Sequence, residues 1–277
     1  MKNKKLNEIY SYVKGRKNSG VSDELLPKYF DNDYFKDLFK KDIKLIIKNR
    51  KFREKVKEIR KELYKIHGVF QAKRQGKKNI LITKLEGASN LNEIKEISKE
   101  ILKLHSSTRE RLNEHKQIYS SIFKITGKPE KIIDLGCGLN PIFLILLGFK
   151  GTYLGYDISR IDVDFLNDYF KIAKKFGING RAFTKDIKDF YDYPKSDVCF
   201  LLKTIDLFGK SKVNYFKSLA SKLKTNYLVV SFPKKTISLK NMNKAERNWF
   251  NKLLGSMKLK YNFLDFENEF FYIIDLQ

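Results

Sequence analysis

Hydrophobic positions follow two different patterns along the chain, and the change falls near residue 104. In the first part, apolar side chains recur three or four positions apart, which is the spacing of one face of an α-helix. Pro27 interrupts this pattern near the start, and the basic stretch 71–79 is predicted to be a loop. The positions that carry the helical pattern are Phe35, Leu38, Phe39, Ile43, Ile46, Ile47, Val56, Ile59, Leu63 and Ile66. Residues 1–103 are therefore predicted to form a small helical domain with positively charged faces.

From residue 104 onward, short apolar runs alternate with longer helical patterns. Helices are predicted near 107–123, 162–176, 213–223 and 244–254. Strands are predicted at 131–133, 152–156, 181–183, 197–202 and 227–232, with two closing strands at 259–266 and 270–276. Such alternation is typical of a mostly parallel sheet with helices on both faces. The second domain, residues 104–277, is therefore predicted to be α/β.

A glycine-rich turn follows the first predicted strand. Residues 134–141 read Asp-Leu-Gly-Cys-Gly-Leu-Asn-Pro. Gly136 and Gly138 lack a Cβ, so backbone N–H groups can approach a ligand closely and positive φ values are allowed. Pro141 stands at the third glycine position of a dinucleotide fingerprint, which argues against that ligand class. A tight strand–helix connection would also fit the turn, but its Asp-x-Gly-x-Gly form resembles motif I of Rossmann-like S-adenosylmethionine (SAM) methyltransferases.

Acidic side chains end the next two predicted strands. Asp157 lies about twenty residues beyond the glycine turn, where a carboxylate can accept hydrogen bonds from ribose hydroxyls; by itself, an Asp there is also suited to cap a helix. Asp186 follows the third strand, where SAM methyltransferases often contact the adenine amino group, and Asp189 competes for that role. Ligands of open α/β sheets bind outside the carboxyl ends of the strands. These residues are therefore predicted to share one site.

The residues at the end of the fourth predicted strand exclude some classes of methylation reaction. They include neither the Asn/Asp-Pro-Pro-Tyr sequence that suggests methylation of an exocyclic amino group nor the Pro-Cys nucleophile that cytosine C5 methylation needs. A purine ring nitrogen such as guanine N7 needs neither, because its lone pair is free at neutral pH. Catalysis then depends on in-line positioning and desolvation. A nucleotide inside a helix must be extruded to reach the methyl donor.

The chain carries a large positive charge. Its 57 Lys and Arg residues against 32 Asp and Glu residues give a formal net charge of +25 and a pI near 9.7. This excess favours a polyanionic partner, since each phosphate contact releases counterions; a lysine bias from an AT-rich genome is the alternative explanation. Hydrophobic residues make up 42% of the 277 positions, which is enough for a substantial core.

Several functional classes are not expected. Cys137 and Cys199 provide no disulfide framework, and three histidines without a Cys-x-x-Cys sequence do not suggest a metal site. The N-terminal Met-Lys-Asn-Lys-Lys has no apolar segment behind it, and no run of about 18 apolar residues occurs. We therefore expect a cytoplasmic, monomeric protein without a metal or a membrane partner.

Further sequence segments extend the resemblance beyond the glycine turn. They are 102–112 (LKLHSSTRERL), 133–141 (IDLGCGLNP), 156–158 (YDI), 200–203 (FLLK), 230–235 (VSFPKK), Trp249-Phe250 and Asn268-Glu269. In this order, over about 170 residues, they resemble the aminoglycoside-resistance 16S rRNA (guanine-N7) methyltransferases. The first hundred residues match only in character, as a basic helical extension.

The resemblance implies a fold and a reaction. The fold would be that of a Rossmann-like class I SAM methyltransferase, with a seven-stranded, mostly parallel sheet, an antiparallel C-terminal hairpin and an N-terminal helical domain that binds RNA. The reaction would be direct transfer of a methyl group from SAM to guanine N7 in 16S rRNA. Ribosomal RNA, alone or in the 30S subunit, would be the partner.

The resemblance also implies roles for individual residues. The cofactor-binding residues would be Ser107, Thr108, Arg111, Asp134, Gly136, Gly138, Asn140, Asp157, Ile158, Asp186 and Leu202. Among these, Arg111 would hold the SAM carboxylate together with Ser107 and Thr108, a task that suits a guanidinium group. Lys203, Lys234 and Lys235 would contact RNA. No residue is assigned a definite catalytic role, and Lys203 and Phe232 are the candidates for positioning guanine.

Two alternatives stay open. The substrate could be tRNA or another RNA atom, although a 2′-O-methyltransferase would need a Lys-Asp-Lys-Glu set for which only Lys203 is a candidate. The chain could also be a non-catalytic RNA-binding or ribosome-assembly factor on a methyltransferase scaffold, against which the intact glycine turn, Asp157 and Arg111 argue. Residues 235–240 (KTISLK) depart from the Lys-Ser-Leu-Gly-like stretch of the family. The sequence therefore leaves open the target nucleotide and any role in drug resistance.

Overall fold

The computed structural model describes residues 2–64, 75–189, 191–235 and 247–277. The strands are β1 (Lys131–Leu135), β2 (Thr152–Asp157), β3 (Asn179–Thr184), β4 (Ser196–Leu202), β5 (Thr225–Pro233), β6 (Tyr261–Asp265) and β7 (Glu269–Asp275). The helices are α1 (Lys2–Lys14), α2 (Asp33–Leu38), α3 (Ile43–Lys48), α4 (Arg50–Leu63), α5 (Gln75–Glu86), α6 (Leu91–Leu102), α7 (Ser106–Arg111), α8 (His115–Thr126), α9 (Phe143–Leu147), α10 (Arg160–Ala173), α11 (Lys212–Lys222) and α12 (Asn248–Ser256). None of these helices has the length and apolar character needed to span a membrane.

The seven strands form one sheet in the order β3-β2-β1-β4-β5-β7-β6. Strands β1 to β5 are parallel to one another, whereas β7 is antiparallel to both of its neighbours, β5 and β6. The predicted mostly parallel α/β sheet with an antiparallel C-terminal hairpin is thereby confirmed. The strand order reverses between β1 and β4, so the carboxyl ends of these two strands border the crevice where such sheets bind ligands.

The sheet is covered on both faces, because successive side chains of a strand point to opposite sides. On β1, Ile132 packs with one hydrophobic cluster, which also contains residues of α8, α9 and α10. Its neighbours Ile133 and Leu135 pack with a second cluster, which contains residues of α11 and α12. This double burial explains why the first strand appears in the sequence as a short, continuous apolar run.

The N-terminal helices α1 to α4 have a hydrophobic core of their own. Val56, Ile59 and Leu63 form a buried stripe of α4, as the helical spacing predicted, and Phe52 extends this stripe. Ile66 lies outside the described residues. Helices α5 and α6, in contrast, contribute to the cluster that covers the sheet. They precede residue 103, where we expected the helical domain to end, yet they pack with the second domain.

Some predicted boundaries differ from those in the structure. The loop predicted over 71–79 is wrong for residues 75–79, which belong to α5; residues 71–74 lie outside the described ranges. Burial of Leu81 and Leu85 stabilises this helix and outweighs its polar start. The helix predicted over 107–123 is two helices, α7 and α8. The helix predicted near 244–254 begins at Asn248 in the structure, and 244–246 lie outside the description.

Candidate active site

A cavity lies at the carboxyl ends of the parallel strands. Of the eleven residues predicted to bind the cofactor, seven line it: Ser107, Gly136, Gly138, Asp157, Ile158, Asp186 and Leu202. Lys203, a predicted RNA contact, lines it as well. The other four, Thr108, Arg111, Asp134 and Asn140, are buried behind the wall of the cavity. The sheet therefore brings most of the predicted site together from the ends of four different strands.

The glycine turn requires glycine at two positions. Gly136 has φ +77° and Gly138 has φ +48°, values that L-residues rarely adopt. A Cβ on Gly136 would also lie 3.0 Å from the Thr204 hydroxyl oxygen. The N–H groups of Gly136 and Cys137 donate to the carbonyl oxygen of Tyr156, at 2.8 and 3.1 Å. These bonds hold the turn against the end of β2 and close to Asp157.

Asp157 presents a carboxylate that the backbone orients. Its Oδ2 accepts a hydrogen bond from the Gly138 N–H at 2.8 Å, and its Oδ1 accepts one from the Ser159 N–H at 2.8 Å. Burial and the negative charge of nearby Asp162 raise the pKa of Asp157 to about 6. The N-cap of α10 is Ser159, whose side chain accepts from the Asp162 N–H. Asp157 is therefore not the cap of that helix, and its carboxylate faces the cavity.

Asp186, just after the end of β3, is a second carboxylate of the cavity wall. Its Oδ1 accepts from the Lys188 N–H at 3.0 Å, and its Oδ2 pairs with Lys28 Nζ. Asp189 lies 3.3 Å from the same lysine nitrogen, but it is largely exposed and is not part of the cavity wall. Between the two candidates, the geometry therefore favours Asp186. Apolar side chains complete this part of the wall: Ile187, Leu207 and Phe208.

Arg111 is the centre of a buried hydrogen-bond network. Its Nε donates to Glu269 Oε2 and its Nη1 donates to Asn140 Oδ1, both at 2.8 Å. Asn140 Nδ2 donates in turn to Asp134 Oδ2 at 2.7 Å, and the Tyr119 hydroxyl donates to Asn140 Oδ1 at 2.5 Å. This network ties α7 and α8 to the glycine turn and to the last strand.

Asp134 and Thr108 are the other two residues of the predicted cofactor site that are buried behind the cavity wall. Asp134 also accepts a hydrogen bond from the Tyr153 hydroxyl, but its Oδ1 is buried without a hydrogen-bond partner among the described residues. Burial raises the pKa of Asp134 to about 6. Thr108 donates from its hydroxyl to the carbonyl oxygens of Leu102 and His105, at 2.5 and 3.1 Å. Both residues thus serve the framework around the cavity.

Glu269 is a charged residue of this region whose role the sequence did not reveal. It accepts hydrogen bonds from Arg111 and the Ser231 hydroxyl, and Lys203 Nζ lies 3.2 Å from its Oε2. Burial alone would raise the pKa of Glu269, but the charges of Arg111 and Lys203 hold it below its ordinary value. Glu269 faces Pro233 across the β5–β7 pair. Arg111 lies on α7, so the packing of that helix against the start of β7 brings the two charges together.

Lys203 stands at the edge of the cavity in an unusual backbone conformation. Its φ is +54°, and its N–H donates to the Ser231 hydroxyl oxygen at 3.0 Å. Its Nζ lies 2.6 Å from Glu110 Oε2 in addition to its contact with Glu269. The side chain is only 7% exposed. The strained turn after β4 therefore aims this lysine inward, at two carboxylates.

The residues predicted near the target base occupy two environments. Phe232 is buried in the core, where its ring stacks on that of Phe270, so the structure does not place it on the cavity wall. Lys234 pairs with Asp265, and Lys235 Nζ lies 2.7 Å from Asn268 Oδ1 and 3.3 Å from Glu267 Oε1. Both lysines are partly exposed at the carboxyl end of β5, on the same edge of the sheet as the cavity. Residues 236–246 beyond them are outside the described ranges.

The residues of the cavity fit an adenosine-containing cofactor such as SAM. Asp157 can accept hydrogen bonds from the two ribose hydroxyls, and Asp186 can accept one from an adenine amino group. Phe208 and Ile187 provide an apolar surface for a planar ring. The absent Cβ of Gly136 leaves room for close backbone approach. The carboxylates in the wall also suit a ligand that carries positive charge.

The chain has relatives among curated proteins. The family model for ribosomal RNA methyltransferase (FmrO) matches residues 43–253. A 16S rRNA (guanine(1405)-N(7))-methyltransferase from Proteus mirabilis is 28% identical over 238 residues, which cover 79% of this chain and 83% of the relative. The enzyme of the same name from Micromonospora echinospora is 25% identical over 225 residues, covering 79% and 81%.

Solved structures agree with these matches. The 16S rRNA methylase ArmA is 29% identical, with a TM-score of 0.54 over 72% of this chain and 97% of that chain. The 16S rRNA methyltransferase RmtF, solved in complex with S-adenosyl-L-homocysteine, has a TM-score of 0.72 over 98% of both chains; at 23% identity it supports the fold. The resemblance found in the sequence motifs is confirmed, as is the class I methyltransferase fold. The chain belongs to the ribosomal RNA methyltransferase (FmrO) family.

Proposed function

We propose that this protein is a SAM-dependent methyltransferase that forms 7-methylguanosine in 16S rRNA. The observation that carries this proposal is the convergence of Gly136, Gly138, Asp157 and Asp186 on one cavity at the strand ends, in a chain of the rRNA methyltransferase family. The curated relatives are named for N7 of guanine 1405 in 16S rRNA. The same nucleotide is the first candidate for this chain.

Different residues of the cavity bind different parts of the cofactor. Asp157 holds the ribose hydroxyls, and Asp186 accepts a hydrogen bond from the adenine amino group. Gly136 and Gly138 bring the backbone close to the methionine part, for which only residues without a Cβ leave room. Ser107 lines the cavity and contacts the carboxylate of SAM. Arg111 supports the carboxylate from behind the wall, with its positive charge and through its hold on the glycine turn.

The methyl transfer itself requires little from the protein beyond the orientation of SAM and guanine. When bound, SAM supplies a sulfonium-activated methyl group. Guanine N7 has a free lone pair, so no side chain has to remove a proton. The cavity aligns the two reactants and excludes water, and both effects lower the barrier. Guanine becomes cationic as N7 gains the methyl group. Because Lys203 is paired with Glu110 and Glu269, its charge is balanced and does not oppose the charge that develops.

The positive charge of the chain supports RNA as the partner. Lys203, Lys234 and Lys235 lie on the same edge of the sheet, close to where a flipped base would enter. Each is paired with an acidic residue in the structure. Phosphate groups of RNA would compete for Lys234 and Lys235, which are partly exposed. The basic N-terminal helices supply further positive charge, and we propose that they contact the rRNA or the 30S subunit.

The direct test is methylation with labelled SAM, using 16S rRNA, 30S subunits and bulk tRNA as separate substrates. We expect label in 16S rRNA, free or within the 30S subunit. Borohydride and aniline treatment, which cleaves RNA at 7-methylguanosine, should then produce one defined break. Label confined to tRNA, or labelled 16S rRNA that resists this cleavage, would contradict the proposed target. Failure to bind SAM in calorimetry would instead support a non-catalytic factor.

A further inference from the structure

The N-terminal helices are docked against the cofactor cavity. Val21 and Ser159 form an antiparallel bridge, and the loop that contains Ser159 follows directly after Asp157. Ile158, which lines the cavity, also packs against the hydrophobic core of α1 to α4. Glu62, next to the end of α4, pairs with Lys188 in the cavity wall. Two loops that shape the cavity, those after β2 and β3, are therefore held by residues from the start of the chain.

Lys28 makes the most direct of these contacts. It belongs to a short 3₁₀ turn, Pro27–Phe30, whose position is fixed by the buried side chains of Leu26 and Phe30. Its Nζ pairs with Asp186 Oδ2 and lies 3.3 Å from Asp189 Oδ2. Burial alone would lower the pKa of Lys28, but Asp186 and Asp189 raise it above its ordinary value. The lysine therefore stays positively charged beside the cavity.

This contact determines how Asp186 can meet a ligand. The Asp186 side chain is only 4% exposed, and a carboxylate so deeply buried needs both a charged partner and hydrogen bonds. Lys28 supplies the charge at Oδ2, and the Lys188 N–H supplies the hydrogen bond at Oδ1. With both oxygens held, the carboxylate cannot rotate freely. Its remaining lone pairs point in fixed directions, as recognition of an amino group requires.

We propose that Lys28 is a positioning residue of the cofactor site. It holds the Asp186 carboxylate in the orientation that accepts the adenine amino group, so that the N-terminal domain contributes to cofactor selection. This inference rests on the proposed function, because it assigns the adenine end of SAM to Asp186. A site built to pair with an N–H group rejects an analogue that lacks it, because buried polar atoms are then left unpaired.

The test compares two ligands on the full-length chain. S-adenosylhomocysteine carries the 6-amino group, and S-inosylhomocysteine carries a 6-oxo group in its place. We expect the wild-type protein to prefer the first by about 10- to 100-fold in calorimetry, the effect of leaving one buried polar group unpaired. Lys28→Met should reduce this preference about tenfold, the effect of losing one well-placed polar interaction. Lys28→Arg, which keeps the charge, should restore most of it.

Lys36→Met is the matched control. Lys36 lies in the same N-terminal domain and pairs with an acidic residue, Asp31 at 2.9 Å, but both side chains are exposed and far from the cavity wall. This variant should keep the wild-type preference. Circular dichroism checks that each variant is folded; if Lys28→Met is not, Lys28→Gln takes its place, since the 35% exposed side chain of Lys28 leaves room for a polar head.

The outcomes separate the inference from the proposed function. An unchanged ligand preference in Lys28→Met, or an equal loss in Lys36→Met, would overturn the role of Lys28. A wild-type protein that binds both ligands equally would overturn it too, while SAM binding itself would stand. A wild-type protein that binds neither ligand would refute the proposed function. A reduced preference that arginine restores supports the inference.

Discussion

The residues of the SAM methyltransferase motifs fall into two groups that differ in what their polar atoms contact. In the buried group, Arg111 donates hydrogen bonds to Glu269 and Asn140, and Asn140 donates one to Asp134, so that these residues join Glu269 to Asp134. In the cavity group, Asp157 and Asp186 are held by backbone N–H groups and face open space. The two groups are interleaved in the sequence: buried Arg111 follows the cavity residue Ser107 by four positions, and buried Asn140 follows Gly138 by two.

The difference shows that a motif can be specific without every member of it touching the ligand. Asn140 follows Gly138 by two positions, yet its amide bridges Arg111 and Asp134 below the turn. This bridge holds the glycine turn in a position from which its backbone can contact a cofactor. The buried group thus determines the shape of the site, and the cavity group determines what the site binds. Each of the following predictions tests that separation.

The largest effect is expected when the buried group is broken. Arg111→Met leaves Glu269 without its main charged partner, and loss of one member of a buried ion pair costs about 3–5 kcal/mol. We expect the free energy of unfolding, measured with denaturant in the absence of cofactor, to fall by that amount, and SAM binding to be lost with it. The exposed neighbour Arg109→Met is the control and should change little. Unchanged stability combined with lost SAM affinity would move Arg111 into the cavity group.

The glycine turn offers a matched pair of substitutions. Gly136→Ala and Gly148→Ala both place a side chain at positive φ, at +77° and +64°, which costs about 1–2 kcal/mol of stability each. Only at Gly136 does the new Cβ meet a neighbour, Thr204 at 3.0 Å; at Gly148 nothing lies within 4 Å. We expect SAM affinity to fall at least about tenfold in Gly136→Ala alone, which amounts to one lost polar contact or more. An equal loss in Gly148→Ala would point to general strain.

The cavity group should show its own dependence on pH. The pKa of Asp157 is raised to about 6 from its ordinary 3.8, and a protonated carboxyl group accepts hydrogen bonds from ribose poorly. SAM affinity measured by calorimetry should therefore be constant above pH 7 and fall toward pH 5. The effect of Asp157 on stability has the opposite sign: its contribution is fully present below pH 3.8 and is lost as pH rises through 6.

Asp157→Asn separates this carboxylate from its buried neighbour. We expect the variant to bind SAM more weakly than the wild type at pH 8, with an affinity that no longer changes between pH 5 and pH 8. Measured near pH 4, where Asp157 is mostly protonated in the folded protein, the unfolding free energy should change by less than about 1 kcal/mol, because one uncharged, half-buried polar side chain replaces another. If the dependence on pH persists in the variant, Asp134, whose pKa is also about 6, is the group that titrates.

The smallest effect is expected outside both groups, at the RNA-facing lysines. The double variant Lys234→Glu/Lys235→Glu should weaken binding of 16S rRNA several-fold and reduce the salt dependence of that binding, with a change in slope of about 1 for each lost phosphate contact. SAM affinity should stay at the wild-type value. The double variant Lys171→Glu/Lys175→Glu, which changes two exposed lysines on and just after α10, is the control with the same change in net charge. A parallel loss of SAM affinity would show that the double variant disturbs the cavity itself.

Local patterns were sufficient to predict most of the fold. Short apolar runs and apolar side chains three or four positions apart depend only on neighbouring residues, so the strands, most of the helices and the order of βα units could be predicted. The need for glycine at 136 and 138 was equally local, because it follows from backbone conformation. Asp157 could be assigned because it ends a strand next to the glycine turn. The prediction of a loop at 75–79 was wrong because the packing of Leu81 and Leu85 against helices distant in sequence stabilises α5.

By itself, the sequence determined the α/β class, the glycine turn, the carboxylates at the strand ends and the family. Only the tertiary structure decided which motif residues face the cavity and which are buried behind it. Arg111 and Glu269 are 158 positions apart, and so are Lys28 and Asp186. The first pair depends on how α7 packs against β7, and the second on how the N-terminal helices dock. No local pattern encodes such contacts, since they form only when separate surfaces of the folded chain meet.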